Sequence, residues 1–487
     1  MFAHIPPPIK MLIMQELIGR QDEKKILRGL LKSDTPEMLA VVGRRRVGKT
    51  FLIQTVYENE ICFALTGSQY SPLKEQLQNF AWQMEKYSGS KIPVAPPKNW
   101  AEAFNQLSKY IDSKKHKQKK VIFMDELPWL AAHKSGFLSA LGYFWNTWAS
   151  RKNIVIVICG SAASWMIKNV IHHKGGMHNR VTRFISLQPF TLNETLQYLQ
   201  SRSVTLNLYQ IVQLYMAMGG IPQYLKQVKP GLSAAQNIDE ICFRKNGFLW
   251  DEFSKLYPAL FDNASNHIDI IQALAAKWKG LTRKEVLAAI KIPDGGTVSK
   301  YLSELEQSGF ITSYLPFGKT KKDKLFRLTD EYSLFYLKFI EKKRNQSWQK
   351  ISQQQSWKSW AGFAFESLCL KHIGQIKKAL GISGIQTDES SFVSKDSQND
   401  IGFQIDMLID RPDNSINLCE MKFYESEFTI EKSYADEIRE RIAQFKALSK
   451  TKKQVFLTFI TTYGIKQNLH SLGLVHHNIN MEALFEE

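Results

Sequence analysis

Cysteine is scarce and never paired: the five residues Cys62, Cys159, Cys242, Cys369 and Cys419 stand singly, with no Cys-x-x-Cys. That excludes zinc ribbons and disulfide-stapled scaffolds and suits a reducing compartment, so a cytoplasmic location is expected. No run approaches the roughly 18 uninterrupted apolar residues of a membrane span, and no membrane partner is expected. The opening MFAHIPPPIKMLIMQELIG has no basic segment leading into an apolar one, so it does not read as a secretory signal. There is no internal repeat of fixed period. What is present is ample core material: 44% of the 487 residues are hydrophobic and 23% charged, which excludes a disordered tail. At ~150 residues per domain, this length predicts about three domains.

The net charge of +18 is uneven, at +16 over residues 1–230, +5 over 231–350 and −3 over 351–487. A basic N-terminal half is consistent with a polyanionic partner such as nucleic acid. Part of the excess is a local run, Lys114 to Lys120, of the kind that forms a solvated loop. Short apolar runs (Met38–Val42, Ile61–Leu65, Val121–Met124, Ile154–Cys159) alternate with amphipathic stretches, the pattern of an α/β domain with a buried parallel sheet.

The first run leads into Gly43-Arg44-Arg45-Arg46-Val47-Gly48-Lys49-Thr50, a GxxxxGK[ST] loop that opens a helix beginning at Phe51. Gly43 and Gly48 allow successive amide groups to turn inward around phosphate oxygens, and the helix adds its N-terminal dipole. Lys49 can reach the β and γ phosphates of ATP, and Thr50 can ligate Mg²⁺. Downstream, the strand Val121–Met124 ends in Asp125-Glu126. There Asp125 would hold Mg²⁺ through water, and Glu126 would orient or deprotonate the attacking water.

Together with Ile18-Gly19-Arg20, Ile158-Cys159-Gly160-Ser161, Asn179-Arg180-Val181-Thr182-Arg183 and Gly219-Gly220-Ile221-Pro222-Gln223-Tyr224-Leu225, these motifs resemble the AAA-related archaeal-type ATPases of the STAND group. The resemblance covers about residues 15–260. It implies that Gly19 and Arg20 lie near the adenine, that Ser161 senses the γ-phosphate and that Pro222 contacts the base or ribose. It also implies that Arg180 or Arg183 brings positive charge to the transition state, with Asn179 where the family usually has Gly. Arginines acting in trans would require neighbouring subunits, and the sequence leaves the oligomeric state open.

Residues 191–260 read as a helical lid after a P-loop ATPase domain at 1–190. Over 261–345, three short helices and two strands joined by Pro316–Asp323 read as a winged helix-turn-helix. Its third helix, Gly296–Ser308, would bury Val298, Leu302 and Leu305. Thr297, Ser299, Lys300 and Ser303 would face outward toward DNA, with Lys321 and Lys322 of the wing reaching phosphates. The polar stretch Asn345–Gln355 reads as a linker. The adjacent pairs His172-His173 and His476-His477 read as surface residues, and the aromatics Trp145, Trp148, Phe335, Tyr336 and Phe339 as core.

Over 355–487 the informative feature is a hairpin. Gln404–Asp410 returns through Arg411–Ser415 into Ile416–Lys422. A turn centred on Asp413 sets Asp406 opposite Glu420 and Gln404 opposite Lys422, with opposed Cβ atoms ~5 Å apart. Facing carboxylates call for a neutralising cation, and oxygen donors suit Mg²⁺ or Mn²⁺. With Glu366 on the preceding helix and Glu420-Met421-Lys422 on the return strand, the segment resembles the PD-(D/E)xK nucleases, although Ile405 replaces the motif's Pro. The resemblance implies a restriction-endonuclease-like α/β fold in which Asp406, Glu420 and the Met421 carbonyl bind metal. Lys422 would then steady the hydroxide, with Glu366 as a further carboxylate. The three-part architecture also resembles a domain of unknown function commonly joined to archaeal-type ATPases. The expectation is an ATP-driven switch coupled to a nuclease acting on DNA. The alternative is a STAND-like regulator whose C-terminal modules only bind.

Overall fold

The computed structural model describes residues 16–90, 92–114, 118–171, 179–261, 263–290, 295–393 and 403–487. The pair His172-His173 and Lys115–Lys117 of the basic run lie outside them.

Five parallel strands form the first sheet: β1 (Glu37–Gly43), β2 (Ile61–Thr66), β3 (Lys120–Asp125), β4 (Ile154–Gly160) and β5 (Arg183–Leu187), in the order β2-β3-β4-β1-β5. β1 and β4 are buried at every residue, as their unbroken apolar runs require when helices cover both faces. The four runs read from the sequence are the first four strands. β5 escaped notice because its burial is broken, with Arg183, Phe184 and Ser186 exposed.

Helices Leu192–Ser201, Leu208–Met218 and Pro222–Leu225 follow, and their apolar sides join the core beneath the sheet. Next comes a unit of three helices, Ala264–Ala275, Arg283–Ile290 and Gly296–Gln307, with a small antiparallel sheet. That sheet comprises β6 (Leu281–Thr282), β7 (Ile311–Tyr314) and β8 (Leu325–Leu328) in the order β6-β8-β7. On the third helix Val298, Leu302 and Leu305 are buried, while Thr297, Ser299, Lys300 and Ser303 are exposed, as their spacing requires. The loop after β7 is not free along its length. Phe317 packs on Phe445 of the C-terminal unit and its amide donates to the Ser391 carbonyl at 2.7 Å, leaving Lys321 and Lys322 exposed.

The stretch 345–355 is no linker. Its residues Trp348 and Ile351 are buried, and Trp348 packs among Phe243, Phe335, Phe339 and Trp357. Asp239 fixes its start, accepting from the Trp348 amide at 2.6 Å. The polar composition belongs to the outer face of one helical turn, Trp348–Ile351, whose apolar residues enter the core.

The C-terminal sheet contains β9 (Asp388–Val393), β10 (Gln404–Asp410), β11 (Ser415–Lys422), β13 (Gln454–Thr461) and β15 (His477–Asn480), in the order β15-β13-β11-β10-β9. The short β12 (Phe428–Thr429) and β14 (Ile465–Lys466) pair apart from it. β9, β10 and β11 are antiparallel. The helix Lys432–Ser449 then carries the chain over to β13, parallel to β11. Helix Gln355–Lys371 packs against β11.

Candidate functional sites

β1 ends in the loop 43–50. A Cβ on Gly43, where φ is +155°, would stand 2.5 Å from the Leu187 carbonyl of β5, so the loop can leave the sheet here only through glycine. Gly48 (φ +93°) starts the helix Lys49–Val56. Lys49 is buried, and its ammonium donates to the Gly43 and Arg44 carbonyls at 2.9 and 3.0 Å. Burial lowers its pKa, while Glu126 and Asp125 work against that shift. The Thr50 hydroxyl donates to Asp125 Oδ2 at 2.6 Å. A hydroxyl and a carboxylate oxygen so placed fit a hard cation such as Mg²⁺.

Glu126 follows β3 in the left-handed region (φ +48°), which turns its side chain toward β4. There Ser161 donates to Glu126 Oε2 through both its amide (3.2 Å) and its hydroxyl (2.9 Å). The expected phosphate sensor therefore holds the expected base. Arg20 is also at a positive φ. Its amide donates to Glu194 at 2.7 Å, its guanidinium reaches the Val47 carbonyl at 3.4 Å, and it lies over the Phe190 ring. Gly19 is so close to Glu194 that a Cβ would meet Oε1 at 2.5 Å. Pro222 opens the short helix Pro222–Leu225, and Phe51 is exposed on the first turn after the loop.

Arg180 and Arg183 lie at the wrong end of the sheet for this chain's own phosphates. Arg183 is level with Leu39 in β1, and the Thr182 amide bonds Met38, whereas the loop leaves β1 from Gly43. Arg180 instead donates to Asn146 at 3.0 Å. The side chains of two loop arginines make ion pairs with later parts of the chain. Arg44 pairs with Asp330 (2.5 Å), both buried, and lies over Phe310. Arg46 pairs with Glu252 (2.6 Å) and lies over Phe248. Only Arg45 among the three has no such pair among the described residues. Asp330 and Glu252 were not read from the sequence, because ion pairs across 286 and 206 residues leave no local pattern.

In the C-terminal unit, β10 and β11 pair from Asp410–Ile416 to Met407–Cys419, the register expected from the turn. Asp406 and Glu420 come next on the two strands. With Glu366, Gln404 and Lys422 they line one cleft of about 660 Å³. Burial, then the charge of Asp406, raises the pKa of Glu366; burial, then Glu420, raises that of Asp406. For Lys422, burial is outweighed by Glu420 and Tyr434, which hold it well protonated.

The Gln404 amide nitrogen donates to Asp406 at 2.8 Å, while its oxygen is buried with no partner among the described residues. An orphaned oxygen beside two crowded carboxylates fits a hard divalent cation. Among the described residues, however, no three His, Cys, Asp or Glu side chains converge on one ion, so the fit rests on Asp406, Glu420 and backbone oxygen. Glu420 has other partners as well: Arg441 at 3.2 Å, Tyr434 at 3.1 Å and Lys422 at 3.5 Å. Arg441 and Tyr434 were missed because they come from the following helix.

The parallel sheet with its phosphate-loop geometry defines a P-loop nucleotide-binding α/β domain. Residues 17–228, less than half of the chain, match the family described as an ATPase domain predominantly from Archaea, so the chain carries an archaeal-type ATPase domain. An uncharacterized protein of Methanocaldococcus jannaschii is 23% identical over 369 residues, covering 74% of this chain and 78% of its own. Among solved structures, a Walker-type ATPase of Pyrococcus abyssi is similar with a TM-score of 0.48 and 14% identity, over 66% of this chain and 96% of its own. The ORC2 protein of Aeropyrum pernix is similar with a TM-score of 0.42 and 14% identity, over 72% and 97%. Among the described residues no helix is long and apolar enough to cross a membrane.

Proposed function

We propose that this protein is an ATP-hydrolysing switch. In this reading its three-helix unit acts as a winged helix on nucleic acid, DNA by preference. Its C-terminal unit is a PD-(D/E)xK-type, Mg²⁺- or Mn²⁺-dependent phosphodiesterase. On ATP binding, Lys49 exchanges the loop carbonyls for phosphate oxygens. Thr50 and Asp125 would hold Mg²⁺, which would supply positive charge against the phosphates as the bond breaks. Glu126, held by Ser161, orients or deprotonates the water that attacks the γ-phosphorus, and ADP departs as the bridging bond breaks.

The observation that carries the cleavage half is the β10–β11 register, which brings Asp406, Glu420 and Lys422 into one cleft beside Glu366. Asp406, Glu420 and the Met421 carbonyl would hold the divalent ion, which supplies a nucleophilic hydroxide and polarises the phosphate. Lys422 would steady the attacking water oxygen and the charge growing on phosphorus, while the P–O bond to the leaving sugar oxygen breaks and that oxygen takes up a proton. The links from Arg44 to Asp330 and from Arg46 to Glu252 give the nucleotide site a mechanical route to the later units.

A nicking assay on plasmid DNA with Mn²⁺, with and without ATP, tests the reading. Wild type cuts and Lys422→Ala does not. A second reading, a regulator that binds without cutting, is favoured by the three partners that engage Glu420. Absence of cutting under every metal would establish it over the first.

A further inference from the structure

The cleft that holds Asp406 and Lys422 is not built by the C-terminal unit alone. Trp278, Lys279 and Arg327 from the three-helix unit line it too. Arg327, on β8, is buried. It donates to Ser367 at 2.8 Å, and its Nε has no partner among the described residues. Its positive charge acts on both Glu366 and Asp406. A guanidinium held among carboxylates with a donor to spare is poised for an anion. Lys279 is exposed at the rim, with its backbone carbonyl fixed by Tyr314 at 2.6 Å. Beside it Trp278 is half-buried and stacked on Phe363, with ring centres 5.0 Å apart and planes at 13°. Phe363 is itself exposed at the cleft.

We propose that the two units together form a clamp for a single, unpaired nucleic-acid strand. Arg327 and Lys279 grip the backbone phosphates, and the Trp278–Phe363 pair stacks a base. This rests on the phosphodiesterase reading of the cleft and deepens it by naming the substrate class. Stacking on an aromatic needs a base whose face is free, which a paired duplex does not offer within its length. Charge points the same way. The helix Lys432–Ser449 also lines the cleft, with Glu437, Glu440, Arg441 and Gln444, and Arg441 is already paired with Glu420 and Glu437. A duplex laid across the cleft would bring its second backbone over these carboxylates, whereas one strand can follow the basic, aromatic side. The volume of about 660 Å³ accommodates one or two nucleotides. The clamp also explains how a unit of net charge −3 would hold a polyanion: the cations come from its neighbour.

The test uses the full-length protein in EDTA, where nothing is cut, with a fluorescein-labelled oligodeoxythymidine and a blunt duplex of equal length. The single strand is expected to bind more tightly. Trp278→Ala should weaken that binding about ten- to a hundredfold and leave the duplex unaffected, and Lys279→Gln should flatten the salt dependence by about 0.7 in log–log slope. Arg327→Gln removes a charge from a buried site, so Arg327→Lys and thermal unfolding accompany it. Tighter duplex binding overturns the proposal, as does single-strand binding unchanged in folded Trp278→Ala and Lys279→Gln. If those variants lose binding while wild type never cuts with Mn²⁺, the clamp stands and the phosphodiesterase reading falls. If wild type cuts, Lys422→Ala does not and Trp278→Ala binds as before, the reverse holds.

Discussion

Exchanging Asp330 for asparagine removes one charge from a pair that has almost no access to water. The Arg44 side chain is 5% exposed and the Asp330 side chain 2%, with Nη1 and Oδ1 2.5 Å apart. Burial would raise the carboxyl's pKa, but Arg44, and after it the Ser333 hydroxyl, keep it below its ordinary value, so the pair is ionised. Deleting one partner strands the other, which costs about 3–5 kcal/mol. The Phe310 ring under Arg44 returns ~1–2 kcal/mol at most. Asp330→Asn should therefore lose about 1–4 kcal/mol. Asp330→Ala should lose ~1 kcal/mol more, because it also deletes the cap on the helix Glu331–Phe335. The double change Arg44→Met with Asp330→Leu removes both charges and should cost less than either single change. Urea unfolding followed by tryptophan fluorescence measures all of these. A loss below about 1 kcal/mol for Asp330→Asn, or strict additivity in the double variant, would refute the reasoning. Because Arg44 sits in the phosphate loop and its carbonyl holds Lys49, the same variants should shift ATP affinity.

Other expectations can be checked directly. Lys49→Ala should abolish ATP hydrolysis, and Glu126→Gln should bind nucleotide but turn over at least ~100-fold more slowly, measured as phosphate release. His372 links helix Gln355–Lys371 to the lid: its Nε2 accepts from the Leu192 amide at 3.0 Å, and burial pushes its pKa down to about 4. The unfolded chain takes up a proton below about pH 6.5 that the folded one refuses until about pH 4. Stability is thus full above pH 6.5 and falls by up to about 3 kcal/mol on acidification. His372→Gln should remove that part of the slope, and parallel acid profiles would contradict it. Trp348→Ala should cost about 3–5 kcal/mol by opening a cavity within its aromatic cluster, read from the same urea curves, whereas an exchange in a linker would cost nothing.

Much of the architecture was legible because its signals are local. A buried parallel strand is apolar almost throughout, so β1 and β4 announce themselves, while β5, with only Ile185 and Leu187 buried, does not. The stretch 345–355 misled for the opposite reason: one helical turn with two buried residues carries too little periodicity to outweigh its glutamines. The side-chain partners of the loop arginines were not legible because Asp330 and Glu252 lie far along the chain.

By itself the sequence determined the phosphate loop, the carboxylate pair closing β3, and the pairing of β10 with β11. Each depends on backbone geometry within a few residues: glycine at positive φ, alternation along a strand, the length of a turn. Only the tertiary structure decided which charges neutralise which. It tied Arg44 to Asp330 and Arg46 to Glu252, set Ser161 against Glu126, sent Arg180 and Arg183 to the far end of the sheet, and brought Arg327 and Trp278 to the cleft. The physical reason is that a buried charge accepts whichever partner packing delivers, and chain separation does not enter that energy.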